Sequence, residues 1–228
     1  MRALIFAAGR GERMRPLTDA TPKPLLSVGG RSLIEWHLQS LARAGVRDVV
    51  INTSHLAEQF PAALGNGARW GLHIAYSYEG PEPLETGGGM LRALPLFGDD
   101  PFVAVNGDIF TDFDFSTLPQ NPSTLAHLVL VDNPAHHPRG DFALEHGLIH
   151  DEPRLTFAGI GVYRPELLAR HAPGKFALAP ILRAAIRDGK ISGEHFRGSW
   201  SDIGTPQRLT EIDAQLAQAR AEAPRAKT

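Results

Sequence analysis

Ala3-Leu4-Ile5-Phe6-Ala7-Ala8-Gly9-Arg10-Gly11, residues 3–11, is the stretch whose reading decides the fold. A short apolar run closed by glycine reads as a buried strand. Ending it in Gly-x-Gly brings backbone amides to one end of a sheet, where phosphate oxygens can approach with no Cβ in the way. The chain continues through Glu12, Arg13, Met14 and Arg15 to Thr21-Pro22-Lys23-Pro24-Leu25. This is not a dinucleotide fingerprint, because the third glycine of G-x-G-x-x-G would fall on Met14, and no P-loop spacing fits. A bare Gly-x-Gly is usually an ordinary strand-to-helix turn. Arg10, Arg13, Arg15 and a proline-flanked Lys23 shift that reading toward an anion site, since Pro22 and Pro24 fix the backbone on both sides of the lysine.

Outward from this stretch, strands and helices alternate. Ile34, Leu38 and Leu41 keep helical spacing up to a stop at Gly45. Residues 48–52 and 72–78 read as strands, 55–64 as a short helix limited by Pro61, 90–96 as a helix after three glycines, and 102–105 as a buried strand. Such βαβαβ order predicts a parallel sheet with helices on both faces. The second half adds strands at 125–131 and 155–163, a hairpin of 142–145 with 148–150 across His146-Gly147, and helices at 178–186 and 206–219. No linker separates the halves. The expectation is one α/β domain over residues 1–222 with a mixed, mostly parallel central sheet, followed by a frayed tail at 223–228.

Composition narrows the function. The chain has 228 residues, 23 Lys+Arg against 25 Asp+Glu, and a formal charge of −2, which argues against a nucleic-acid binder with a basic face. It has no cysteine, so a disulfide framework, a thiol nucleophile, a Cys-bound zinc and an iron–sulfur cluster are excluded. The opening apolar run is too short for an export signal or a membrane span, and a cytoplasmic location is expected. No H-E-x-x-H or G-x-S-x-G is present, and His136-His137 in a proline-flanked loop reads as solvated.

Three further motifs stand out. Asn106-Gly107-Asp108 is a hairpin signal in isolation. Yet Asp108 follows a buried strand, where a carboxylate can hold a hard cation such as Mg²⁺. Asp202, in Trp200-Ser201-Asp202-Ile203-Gly204-Thr205-Pro206, is a possible partner, or simply an acidic residue favoured before a helix. Leu84-Glu85-Thr86-Gly87-Gly88-Gly89 is either a flexible lead into a helix or a place for a flat base against bare backbone. A glutamate there suits the N3–H of uracil or the N1–H and N2–H₂ edge of guanine.

Together, AAGRGERMRPLT, TPKPL, LETGGG, NGD and WSDIGTP resemble the sugar-phosphate nucleotidylyltransferases, along nearly the whole chain. The resemblance implies a Rossmann-like nucleotidyltransferase fold acting on two small molecules, a nucleoside triphosphate and a sugar 1-phosphate, with Mg²⁺ as cofactor. It implies Arg13 and Lys23 as catalytic cations, and Gly9, Gly11 and Glu12 at the nucleotide with them. Glu85, Thr86 and Gly88 would read the base, and Asn106, Gly140, Asp141 and Gly159 would hold the sugar phosphate. Asp108 and Asp202 match the family's metal ligands. LETGGG also looks like the loop of guanylyltransferases, so uracil and guanine both stay open. DNPAHHPRGDF and SGEHFRGSW resemble a uridylyl-transferring branch whose amino sugar carries a carboxylate. That group calls for a cation or a backbone nest, with Arg139, Arg154, Lys175 and Arg197 as the candidate cations.

The chemistry agrees independently. A sugar phosphate, with its second pKa near 6, is largely dianionic at pH 7 and needs no general base. The protein has only to hold two polyanions together and neutralise charge. A non-catalytic sensor on the same fold would have no need of Lys23, Asp108 and Asp202, and all three are present.

Overall fold

The computed structural model describes residues 1–222; the tail at 223–228 lies outside them. In chain order the elements are β1 (Arg2–Phe6), α1 (Leu17–Ala20), β2 (Ser27–Val28), β3 (Arg31–Ser32), α2 (Leu33–Arg43), β4 (Asp48–Thr53), α3 (Gln59–Leu64), β5 (His73–Tyr78), α4 (Glu85–Ala93) and β6 (Phe102–Asn106). There follow β7 (Ile109–Thr111), β8 (Ala126–Val131), β9 (Phe142–Glu145), β10 (Leu148–Tyr163), α5 (Ala179–Arg187), β11 (Ile191–His195), β12 (Trp200–Asp202) and α6 (Pro206–Glu222).

The main sheet has eight strands in the order β11-β8-β10-β6-β1-β4-β5, with β9 paired to β10. β6, β1, β4 and β5 are parallel, whereas β10 runs antiparallel to β6 and β8. Strand alternation sends side chains to two separate cores. Ala3, Ile5, Val49, Ile51, Val103 and Val105 pack on one face with Ile34, Leu38 and Leu41 of α2 and Phe60 of α3. Leu4, Val50, Phe102 and Ala104 pack on the other, with Met90 and Ala93 of α4 and Leu182 and Ile186 of α5. From β1 the chain builds β4 and β5 to one side, then α4 carries it back across to β6. The order therefore reverses between β1 and β6, and a crevice opens at their carboxyl ends, where open α/β sheets bind ligands.

Local signals explain most boundaries. α2 starts on a capping box in which the Ser32 N–H donates to Glu35 Oε2 at 2.8 Å, and Gly45 at φ 84° follows its end. The hairpin between β9 and β10 forms as expected, with His146 and Gly147 both at positive φ.

Four expectations change. The helix expected at 55–64 is only Gln59–Leu64, with Pro61 in its first turn, where its missing N–H costs nothing. The one expected at 90–96 begins at Glu85, so the three glycines lie inside it, and Leu94–Leu96 tightens to a 3₁₀ turn around Pro95. Residues 148–163 form one strand with register breaks in place of two strands. Asn106-Gly107 does not close a hairpin: β6 pairs with β1 and β10, while β7 pairs with β12.

Candidate active site

A cleft of about 920 Å³ occupies the crevice at the carboxyl ends of β1 and β6. Gly9, Gly11, Glu12, Arg13, Lys23, Glu85, Thr86, Asn106 and Asp108 line it, so most of the sequence-expected positions are brought together. Gly88, Gly140, Asp141, Gly159 and Asp202 do not.

One wall is the loop after β1. A Cβ on Gly9 would meet nothing within 4 Å, so this backbone faces open space. Gly11 takes φ 64°, and a Cβ there would press on Thr18 Cγ2 at 2.8 Å; Thr18 Oγ1 in turn donates to the Gly11 carbonyl at 2.9 Å. Met14, fully buried, pins the loop into a small core with Leu26, Val28, Leu33, Ile203 and Ile212. The residue that breaks the dinucleotide fingerprint is thus the loop's apolar anchor. Arg13 is exposed and, among the described residues, has no ion-pair partner.

The floor is an ion pair. Lys23 Nζ lies 2.6 Å from Asp108 Oδ2, with side chains 10% and 37% exposed. Gly107 makes this approach possible: its N–H donates to the Phe6 carbonyl at 2.9 Å, and a Cβ would sit 2.7 Å from that oxygen. Asp202 arrives from the far end of the chain. β12 pairs with β7 so that Asp202 lies opposite Ile109, and the Ile203 N–H donates to the Asp108 carbonyl at 2.8 Å. The Asp202 carboxylate holds Arg208 Nη1 at 2.5 Å and His136 Nε2 at 2.8 Å. Both aspartates are therefore already seats for positive charge. Among the described residues no group of three or more His, Asp or Glu is arranged to hold a metal. A divalent ion would rely on these one or two carboxylates plus substrate phosphate oxygens, the mode that suits Mg²⁺.

The opposite wall carries a network absent from the sequence reading. Asn52, at the end of β4, accepts from the Ala7 N–H at 2.6 Å and donates to Glu79 Oε1 at 2.6 Å, while Glu79 Oε2 accepts from the Leu84 N–H at 2.7 Å. Burial raises the Glu79 pKa, against the pull of the Leu84 and Asn52 hydrogen bonds and of Arg92. The network ties the start of the loop after β1 to the lead into α4, where Glu85 takes φ 63°. The glycines of α4 answer to protein neighbours: a Cβ would strike the Phe176 ring at Gly87, the Gly174 carbonyl at Gly88 and the Glu79 carboxylate at Gly89.

The remaining expected positions do not line the cleft. A Cβ at Gly159 would lie 2.5 Å from Asn106 Nδ2, so this glycine leaves room for the Asn106 side chain. Gly140, at φ 72°, sits against Asn133 and Leu155. Asp141 accepts from the Phe157 N–H at 2.9 Å and pairs with His137 at 3.1 Å, anchoring the loop that carries His136.

Beneath the site, His37 of α2 donates from Nε2 to the Ile109 carbonyl at 2.9 Å. Burial lowers its pKa from 6.5 to about 4, against opposing pulls from that carbonyl and from Asp108. A depressed histidine contributes stability that is complete above the unfolded value and is lost as pH falls through the folded one. At 1.36 kcal/mol per unit, the loss reaches about 3 kcal/mol by pH 4. His37→Gln keeps an N–H for Ile109 but does not titrate. Urea denaturation from pH 7 to pH 4 is therefore expected to show the stability of the unsubstituted protein relative to His37→Gln falling by about that amount.

The Nucleotidyl transferase family model matches residues 2–142. The chain is 50% identical to the N-acetylmuramate alpha-1-phosphate uridylyltransferase of Neisseria meningitidis over 225 residues, covering 94% of this chain and 97% of that protein. It is 32% identical to the protein of the same name from Caulobacter vibrioides, covering 95% and 97%. Among solved structures, the inositol-1-phosphate CTP transferase from T. maritima superposes with a TM-score of 0.77 at 17% identity, covering 95% and 96%, a likeness of fold.

Proposed function

The chain belongs to the nucleotidyl transferase family, and from that premise we propose that it transfers UMP from UTP to N-acetylmuramate α-1-phosphate, releasing pyrophosphate. The observation that carries the reaction type is the cleft's composition: backbone amides, Arg13 and a Lys23–Asp108 pair, with no serine, cysteine or histidine among its lining residues. The reaction needs no covalent intermediate, because the sugar phosphate is itself the nucleophile and Lys23 is held as the cation of an ion pair with Asp108. A phosphate oxygen of the sugar substrate attacks the α-phosphorus in line, and the bond to the bridging oxygen of pyrophosphate breaks. No proton has to move. Identity to the two uridylyltransferases along almost their whole length supports the choice of base and sugar.

In this reading the amides of Gly9 and Gly11 and the Arg13 guanidinium bind the triphosphate beside Glu12. Lys23 faces the α-phosphate, where charge grows in the transition state. Glu85, Thr86 and Gly88 define the base side. Asn106, Gly140, Asp141 and Gly159 serve the sugar phosphate, Gly159 by leaving room for the Asn106 side chain. Asp108 and Asp202 would hold Mg²⁺, which when bound supplies charge neutralisation between the two polyanions. Among the described residues no helix is long and apolar enough to cross a membrane; the proposed place of work is the cytoplasm, where UTP is available.

The test is pyrophosphate release with Mg²⁺, crossing UTP, GTP and dTTP against the 1-phosphates of N-acetylmuramate, N-acetylglucosamine, glucose and mannose. The expected result is turnover concentrated in UTP with N-acetylmuramate 1-phosphate. Preference for GTP with mannose 1-phosphate would overturn the choice of base and sugar. Silence across the grid would overturn catalysis itself.

A further inference from the structure

We infer that Lys175 selects the acidic sugar by meeting the carboxylate of its lactyl ether; this rests on the reaction proposed above. Of the four cations that the sequence offers for such a group, Lys175 alone lines the cleft. Arg154 is engaged by Glu145 at 3.2 Å and Glu152 at 3.0 Å. The other cations of the cleft have different surroundings. Lys23 is paired with Asp108, Arg10 donates to the Pro81 carbonyl at 3.3 Å, and Arg13 belongs to the phosphate loop. Lys175 is exposed and has no ion-pair partner among the described residues.

Its position is built. The segment carrying it is clasped onto the start of α4 by hydrogen bonds made just after the lysine. The N–H groups of Gly87 and Gly88 both donate to the Phe176 carbonyl at 3.0 Å, and the Phe176 N–H donates to the Leu84 carbonyl at 3.1 Å. The Leu178 N–H reaches Thr86 Oγ1 at 3.1 Å. Gly87 and Gly88 leave the space that the Phe176 ring and the Gly174 carbonyl occupy. This close packing holds the lysine's backbone beside the base wall.

Electrostatics give the lysine its use. Glu79, Glu82 and Glu85 line the same wall, so a sugar bearing a carboxylate would enter a field of its own sign. Of the two cations beside them, Arg10 is turned to the Pro81 carbonyl and Lys175 is the one with no side-chain partner among the described residues. N-acetylmuramate and N-acetylglucosamine 1-phosphates share the ring, the acetamido group and the phosphate, and differ only in the lactyl ether. A charge-assisted contact to that carboxylate therefore appears as a ratio of the two substrates.

The experiment compares kcat/KM for these two 1-phosphates with UTP in the unsubstituted protein, Lys175→Ala and Lys175→Arg. The muramate-to-glucosamine ratio is expected to fall about tenfold to a hundredfold in Lys175→Ala, mainly through KM for the muramate substrate, and to be largely kept in Lys175→Arg. A ratio unchanged in Lys175→Ala, whatever happens to the absolute rates, overturns the inference and leaves the reaction standing. An unsubstituted protein with no preference for the muramate substrate overturns the proposed reaction, and the inference with it.

Discussion

Lys23→Ala is expected to lower kcat/KM for pyrophosphate release by about a thousandfold, the upper range for removing one preorganised charge from a transition state. Lys23 has little freedom. Its side chain is 10% exposed, and the turn carrying it is closed by the Leu25 N–H donating to the Pro22 carbonyl at 2.8 Å. The ammonium is thus fixed before substrate arrives and costs little reorganisation during transfer. Truncation also leaves Asp108 without its cation, facing an incoming triphosphate with bare negative charge. The loss should fall on kcat more than on KM, because the contact strengthens as charge develops. Steady-state kinetics beside a thermal melt separate this from unfolding. Lys23→Arg should recover only part of the rate, since the planar fork does not fit a slot shaped for an ammonium. A fall of less than tenfold in Lys23→Ala would remove Lys23 from the chemistry.

Asp202→Asn is expected to cut the rate about a hundredfold at fixed Mg²⁺ and to raise the Mg²⁺ needed for half-maximal activity at least tenfold. The amide keeps the shape of the side chain and an oxygen for Arg208, so the contact between β12 and β7 survives. What goes is the negative charge that now holds Arg208 and His136. Mn²⁺ binding in the presence of UTP, followed by electron paramagnetic resonance, reads the loss without turnover. Unchanged metal affinity would place the second ligand elsewhere.

The parallel half was legible because its signals are local. A buried strand closed by Gly9, a helix spaced from Ile34 to a stop at Gly45, and a buried strand running into Asn106-Gly107-Asp108 each declare themselves within a few residues. The site's opposite wall was not. Asn52 and Glu79 are ordinary polar residues at the ends of two strands, and their role exists only once β4 lies between β1 and β5. The three glycines misled for a related reason. Read alone they suggest flexibility or a ligand, but Gly87 and Gly88 owe their small size to Phe176 and Gly174, far along the chain, and Gly89 owes its own to Glu79 and Asn52 at the ends of neighbouring strands. Asp202 was found by its motif, whereas its nearness to Asp108 depends on a two-strand pairing too short for any periodicity to reveal.

The small core behind the glycine loop has a consequence for how the protein is made. Met14, Leu26 and Leu33 finish burying themselves only against Ile203 and Ile212, and the Gly29 N–H waits for Asp213 Oδ1 at 2.6 Å. Translation delivers these partners after the whole main sheet has been synthesised. A nascent chain can pair β1 with β4 early, as domains begin to order from their N-terminal side. The glycine loop nevertheless gains its contacts to Ile203 and Ile212 only once those residues have been made. The bracing of this loop is thereby a late, long-range event, reached only after the strands of the main sheet have been made.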